Sequence, residues 1–326
     1  MKIARIALGF TLACVALGPF AHAQEPVNEH MRPFRVVATV GMVADVVRAV
    51  GGDRTEVAQL IGSGIDPHLY KPTRGDVAQM LGAEIIFYSG LKLEGKMGDA
   101  FARLANSGRE VHALTEKLGE GYSLHSPASA QHTDPHVWMD VQGWMTTIGV
   151  VAEVMSRLDP KHASDYAQRA ATYRAELEAL DHYVREVIAT IPDDQRILVT
   201  AHDAFQYFSR AYGIEVYGIQ GMSTESEAGL EHINRLVDLL VARHVPAIFV
   251  ESSVADRNVR ALVEGARARG HRVAVGGTLF SDAMGKPGTY EGTYIGMIDH
   301  NATLITRALG GTAPRGGFQG KLEGMP

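Results

Sequence analysis

The sequence predicts an α/β fold of two pseudo-symmetric lobes. Each lobe is a mainly parallel sheet flanked by helices, and one long rigid helix joins them. Three observations predict this. Short apolar runs alternate with helix-like segments from about Arg35, which is the pattern of a parallel sheet with helices on both faces. The second half repeats that alternation. Between the halves, Tyr166, Ala170, Tyr173, Leu177, Leu180, Val184 and Val187 recur at alternating steps of four and three, which sets them on one helical face.

In chain order, Val36 to Val40 is a buried-strand run, and Met42 to Val50 is a helix stopped by Gly51-Gly52. Glu56 to Ile61 is a second strand. Thr73 caps a helix through Leu81, and Glu84 to Tyr88 is a third strand. A polar loop, 119–133, follows. The long helix starts at Asp159-Pro160, with Pro in the first turn, and stops at Pro192. At 1.5 Å per residue its roughly 30 residues span about 45 Å. Such an element braces two lobes and hinges less easily than strand crossovers. Its apolar stripe covers too few heptads to favour a coiled-coil dimer.

In the second half, strands are expected at Ile197 to Thr200, Glu215 to Gly218, Ala247 to Val250 and Arg272 to Val275. Helices are expected at Ala204 to Tyr212, Gly229 to Arg243, Val259 to Arg269 and Glu291 to Leu309. The Gly- and Pro-rich tail from Gly310 reads as loose. The division is therefore 34–158 for the first lobe, 159–191 for the linking helix, 192–310 for the second lobe and 311–326 for the tail.

The N-terminus reads as a secretory signal. Lys2 and Arg5 precede an apolar stretch, Ile6 to Leu17, that is too short to span a bilayer. Ala21-His22-Ala23 places cleavage before Gln24, so residues 1–23 are left out of the fold and the expected location is the periplasm. Thr11-Leu12-Ala13-Cys14 fits a lipoprotein box poorly, and lipid anchoring is not expected. Cys14 is the single cysteine. After cleavage no thiol or disulfide remains, so a metal site must use nitrogen and oxygen donors.

At 326 residues and 46% hydrophobic, the chain can fill two cores. Its formal charge of -6, with signs mixed along the chain, gives no footprint for nucleic acid. A monomer is expected.

Four short motifs carry the chemistry. His68 sits in Asp66-Pro67-His68-Leu69-Tyr70 and His136 in Asp134-Pro135-His136-Val137-Trp138. His202 sits in Thr200-Ala201-His202-Asp203-Ala204-Phe205, and Asp282 in Leu279-Phe280-Ser281-Asp282-Ala283-Met284-Gly285. Three neutral imidazoles and one carboxylate suit a divalent first-row metal. Their wide spacing demands a folded receptor, with two ligands from each lobe. Taken singly, most of the fourteen histidines are surface or hydrogen-bonded core residues, and Asp66-Pro67 and Asp134-Pro135 alone are turns. His125 and His132, in the polar loop, are minor candidates for capturing metal. Glu251 follows a strand and is a spare ligand, a helix cap or, the favoured reading, an acceptor for a histidine N–H.

These motifs, with Lys71-Pro72, Met139-Asp140, Gln206-Tyr207-Phe208 and Glu291-Gly292-Thr293-Tyr294-Ile295-Gly296-Met297, resemble the solute-binding proteins of ABC importers for manganese, zinc and iron, the TroA/ZnuA-like group. The resemblance spans Val36 to Leu309. It implies two α/β lobes on one long helix, a metal in the interlobe cleft, delivery to a membrane permease, and His68, His136, His202 and Asp282 as ligands. Some manganese-binding relatives carry Glu where this chain has His202, which leans the chemistry toward Zn²⁺. Zinc-dedicated relatives often carry a long His-rich loop, which here is reduced to His125 and His132 and leans it toward Mn²⁺. Fe²⁺ stays open. The alternative function is a zinc-dependent hydrolase. It needs an open coordination position and a general base, whereas four protein ligands close the site and no H-E-x-x-H run is present. A surface adhesin is a third possibility, and nothing in the sequence is adhesive.

Overall fold

In the computed structural model the described residues are 32–119, 121–126 and 129–324. The signal segment 1–23, with Cys14, lies outside them. The first half builds a four-stranded sheet in the order β2-β1-β3-β4, from β1 (Phe34–Ala38), β2 (Thr55–Gln59), β3 (Ile85–Tyr88) and β4 (Glu110–Ala113). All its pairs are parallel, with Val37 opposite Ala58 on one side and Ile86 on the other. The central strands β1 and β3 carry the near-continuous apolar runs that a sheet covered on both faces requires. The crossovers are α1 (Gly41–Gly51), α2 (Arg74–Gly82) and α3 (Gly98–Asn106). Thr73 caps α2 as expected, in a reciprocal capping box with Asp76.

The second half pairs β7 (Ile197–His202) with β8 (Glu215–Gln220), and β9 (Ala247–Glu251) with β10 (Ala274–Leu279), again parallel. Strand β7 runs beside β9. Helices α7 (Gln206–Tyr212), α8 (Leu230–Ala242), α9 (Arg257–Ala268) and α10 (Tyr294–Ala308) complete this half. One core cluster of Ile197, Val199, Leu236, Leu240, Ile248 and Leu262 belongs to it alone.

The long helix α6 (Ala163–Ala189) follows a single 3-10 turn at Pro160–His162. Its 27 residues span about 40 Å. Tyr166, Tyr173, Leu177, Leu180, Val184 and Val187 are buried along it, as the periodicity predicts. Helix α6 is tied to both halves by hydroxyls on that face. Tyr173 Oη donates to Asp45 Oδ2 of α1 at 2.6 Å, and Tyr183 Oη pairs with Thr303 Oγ1 of α10 at 2.7 Å. At its start, Asp159 accepts from Arg54 and Tyr166.

Several elements differ from the sequence reading. Helix α5 (Thr146–Leu158) was not singled out, because its β-branched run, Thr146-Thr147-Ile148 and Val150-Val151, weakens the helical signal. A four-residue helix, α4 (Val141–Trp144), precedes it. Strand β4 is an edge strand with two polar residues, Glu110 and His112, and reads weakly. The 119–133 loop holds a short hairpin, β5 (His125–Ser126) with β6 (Ser129–Thr133). The last strand, expected over Arg272 to Val275, instead starts at Ala274 and runs on through Gly276-Gly277 to Leu279. The register shifts there, and a Cβ on Gly277 would lie 2.8 Å from Leu304 Cδ2. The tail expected to be loose is irregular but anchored. Phe318 N donates to the buried Asp299, Thr312 N donates to Thr190 Oγ1, and Leu322 is buried.

Leu177 is fully buried at the middle of α6. Leu177→Ala should cost about 2–5 kcal/mol through lost transfer energy and a residual cavity. Urea unfolding of wild type and variant checks this, and a loss below about 1 kcal/mol would show that α6 is not packed from both sides.

Candidate metal centre

The four motif residues converge where parallel strands end, the place where open α/β sheets bind ligands. His202 is the last residue of β7, and Asp282 stands in the loop after β10. His68 lies between β2 and α2, and His136 follows the β5–β6 hairpin. One ligand atom from each lies within 4.8 Å of the others, and all four residues are buried. The three imidazole centroids form a near-equilateral triangle with sides of 5.4, 6.0 and 5.3 Å.

Asp282 touches all three rings. Its Oδ2 lies 3.2 Å from His202 Nε2 and 3.5 Å from His68 Nε2, and its Oδ1 lies 3.3 Å from His136 Nε2. Both carboxylate oxygens and His202 Nε2 are buried without a hydrogen bond. Leaving a buried carboxylate so is costly. Acceptor atoms facing one another at this range need positive charge between them, which either protons on the rings or a metal cation can supply.

The far sides of two rings are held by carboxylates. His136 Nδ1 pairs with Asp134 Oδ1 at 2.7 Å, and the same oxygen accepts His136 N at 2.9 Å. Glu251, the last residue of β9, accepts His202 N at 2.8 Å through Oε1 and pairs with His202 Nδ1 at 2.5 Å through Oε2. These contacts direct Nε2 of each ring inward and raise its basicity. Asp66 repeats the Asp-Pro-His geometry in part, accepting His68 N at 2.8 Å. Asp134 was read as a turn residue only. The signal was its position two before a histidine, from which a carboxylate reaches both the backbone N–H and the ring.

Packing fixes these loops to one another. Trp138 stands edge-on to His136 at 5.3 Å and donates from Nε1 to Ser281 O, the neighbour of Asp282. Tyr294 Oη donates to Trp138 O. Gly218 of β8 lets the chain beyond His202 approach, since a Cβ there would meet Asp203 N at 2.5 Å. His125 and His132 stay outside the cluster. His132 is exposed and lines, with His68, Lys96, Pro135 and Glu225, a groove that opens on the site.

Unperturbed imidazoles would place proton competition for metal between about pH 7 and 5. The site moves that window. Burial pulls His136 down, but Asp134 and Asp282 outweigh it and push it up to about 9. His202 is likewise raised well above its usual range, with Glu251 and Asp282 overcoming burial. Burial lowers His68 to about 4. Burial opposes ionisation of Asp282, but His202 and His136 hold it well below the usual carboxylate range. A raised folded pKa means that the metal-free protein draws stability from these two imidazoliums fully below about 6.5, and loses it as pH rises through about 9. A metal ion must displace the same protons. Metal affinity should therefore climb from pH 6 to 9, with proton release at pH 7.5. Calorimetry in buffers of different ionisation enthalpy reads the release, and zero proton release would contradict the assignment.

Residues 36–308 match the family described as zinc-uptake complex component A, periplasmic. The zinc-binding protein TroA of Treponema pallidum is 47% identical over 84% of this chain and 88% of its own length. The manganese-binding lipoprotein MntA of Bacillus subtilis is 43% identical over 84% of this chain and 89% of its own. The solved structure of the treponemal periplasmic zinc-binding protein superposes with a TM-score of 0.82 at 45% identity, covering 85% of this chain and 99% of that one. Several relatives, MntA among them, are lipoproteins, which runs against the expectation of no lipid anchor. The described chain, with its parallel sheets, its long helix and its His₃Asp cluster, belongs to the ZnuA/TroA family of periplasmic metal-binding proteins.

Proposed function

We propose that this protein is the exported receptor of a metal importer. It captures one divalent transition ion between its lobes, 34–158 and 192–310, and releases it to a membrane permease driven by an ATPase. His68, His136 and His202 bind the ion through Nε2, and Asp282 binds it through its carboxylate. The observation that carries this reading is the buried Asp282 carboxylate, unpartnered by any hydrogen bond and facing three imidazoles. The family is a transport component rather than an enzyme family, and the four inward donors occupy the positions a reactive water would need.

Three nitrogens and a carboxylate are compatible with Zn²⁺ and Mn²⁺, and the relatives include a zinc-binding and a manganese-binding protein and an Fe(III)-bound structure. We assign the cargo as Zn²⁺ or Mn²⁺, with position 202 as a tuning point. Among the described residues no helix is long and apolar enough to cross a membrane. Export requires removal of the leader. The mass of the mature N-terminus distinguishes a chain that starts at Gln24 from one that starts at a lipid-modified Cys14, and an intact Met1 on the exported protein would reject leader cleavage.

His68→Ala, His136→Ala, His202→Ala and Asp282→Ala should each weaken Zn²⁺ binding by at least about 100-fold, the scale at which a metal site responds even to loss of a supporting partner. Near-normal affinity in any two of them rejects the ligand set. His202→Glu replaces a neutral nitrogen with an anionic oxygen, which the harder ion tolerates better. The ratio of Mn²⁺ to Zn²⁺ affinity in competition titrations should rise, even if Zn²⁺ still binds more tightly. An unchanged ratio means residue 202 does not set selectivity.

A further inference from the structure

A groove of about 600 Å³, lined from both halves of the chain, reaches His68. A metal ion with six waters needs roughly 180 Å³, at about 30 Å³ for each water, and leaves most of that space unfilled. The groove instead has the size of a small-molecule site, which runs from about 300 to 1,000 Å³. Its charged lining is Lys92, Lys96 and Glu225, and it also holds the exposed His132 and Ser223. Lys96 and Glu225 pair with each other. Lys92 is exposed and has no carboxylate partner among the described residues, which leaves the groove one unmatched positive charge.

The turn that carries Lys92 is strained. Gly90, Leu91 and Lys92 have φ of 99°, 51° and 65°, a left-handed region that residues with a side chain enter only at a cost. Among the described residues, His244 is the one other non-glycine with positive φ. Glu94 holds the turn in place. It is 3% exposed, its Oε1 accepts Thr39 Oγ1 at 2.6 Å and Ser89 N at 2.8 Å, and its Oε2 accepts Gly90 N at 3.4 Å. Leu93, between Lys92 and Glu94, is fully buried. A lysine that only solvates the surface needs no such support. Strain that its surroundings over-determine collects at ligand clamps, and this turn sets an unpaired ammonium on the groove.

We propose that the groove binds a low-mass polycarboxylate of the citrate class that carries the metal, and that the protein takes the ion from this chelate. A divalent ion held by an ionised tricarboxylate keeps a net negative charge, which Lys92 matches. Lys96 exchanges Glu225 for a carboxylate of the chelate, and His132 and Ser223 donate to its free oxygens. The ion then trades carboxylate oxygens for the imidazole nitrogens and Asp282, and the emptied polycarboxylate leaves by the groove. The proposal rests on the metal-site reading above.

The test is stopped-flow loading of the metal-free full-length protein at one free Zn²⁺ concentration and one ionic strength, with the ion buffered by citrate or by ethylenediamine, a weak chelator without carboxylates. In wild type the loading rate should rise with total citrate and level off about tenfold above the rate in ethylenediamine, the scale of electrostatic capture in a charged cleft. Ethylenediamine should give one rate at all its concentrations. Lys92→Gln, which removes the charge, and Lys92→Glu, which inverts it, should lose the rise with citrate, and Lys92→Arg should keep it. A wild-type rate that does not depend on citrate, or a rise that survives in Lys92→Gln, overturns the proposal. So does an equal slowing of Lys92→Gln with both chelators, which would be a general charge effect. A wild type that loads from neither source overturns the site reading and this proposal with it, whereas a wild type that loads equally from both overturns this proposal alone.

Discussion

The arrangement of the site depends on one buried carboxylate. Asp282 is 1% exposed and lies within 3.5 Å of the Nε2 atoms of His68, His136 and His202. Without positive charge at its centre, this cluster would hold an unpartnered anion in a low-dielectric interior, which no packing gain nearby offsets. The surrounding carboxylates push the pKa values of His136 and His202 up despite their burial, which favours protons on these rings when no metal is bound, and each ring is backed by a second carboxylate. A divalent ion supplies the positive charge with one particle. The same geometry that raises the imidazole pKa values thus builds the cation site, and protons and metal compete for one place.

The long helix sets how that place can open. Helix α6 packs against α1 and α5 from the first half and α10 from the second, with one tyrosine hydroxyl bonded into each half. A packed helix of this length resists the large hinge that several flexible crossovers would allow. Large motion between the halves is resisted accordingly. Of the three clustered histidines, His68 is the least buried. Its ring lacks the carboxylate that backs His136 and His202.

Much of this was legible in the residues. The stripe from Tyr166 to Val187 located the long helix to within a turn at each end. The four motifs named the residues that the fold brings together, because a histidine or aspartate at a strand end beside Pro or Gly turns is chemically conspicuous. Glu251 was visible for the same reason, at the end of an apolar strand. What escaped depended on tertiary context. The β-branched segment 146–151 is helical because it is buried against α6 and α1, an override of local propensity. The glycines at 276–277 continue a strand because Leu304 and Phe249 leave no room for a side chain. Thr224, in the loop after β8, donates to Asp66. Its partner is 158 positions away, and no local pattern announces it.

The most direct test of the account is anomalous diffraction from crystals of the Zn²⁺-loaded protein. The account predicts a single zinc peak bounded by the Nε2 atoms of His68, His136 and His202 and by Asp282, with nitrogen and oxygen contacts of about 2.0–2.2 Å. A principal peak elsewhere, or a zinc ion at this place that leaves Asp282 uncoordinated, would contradict it.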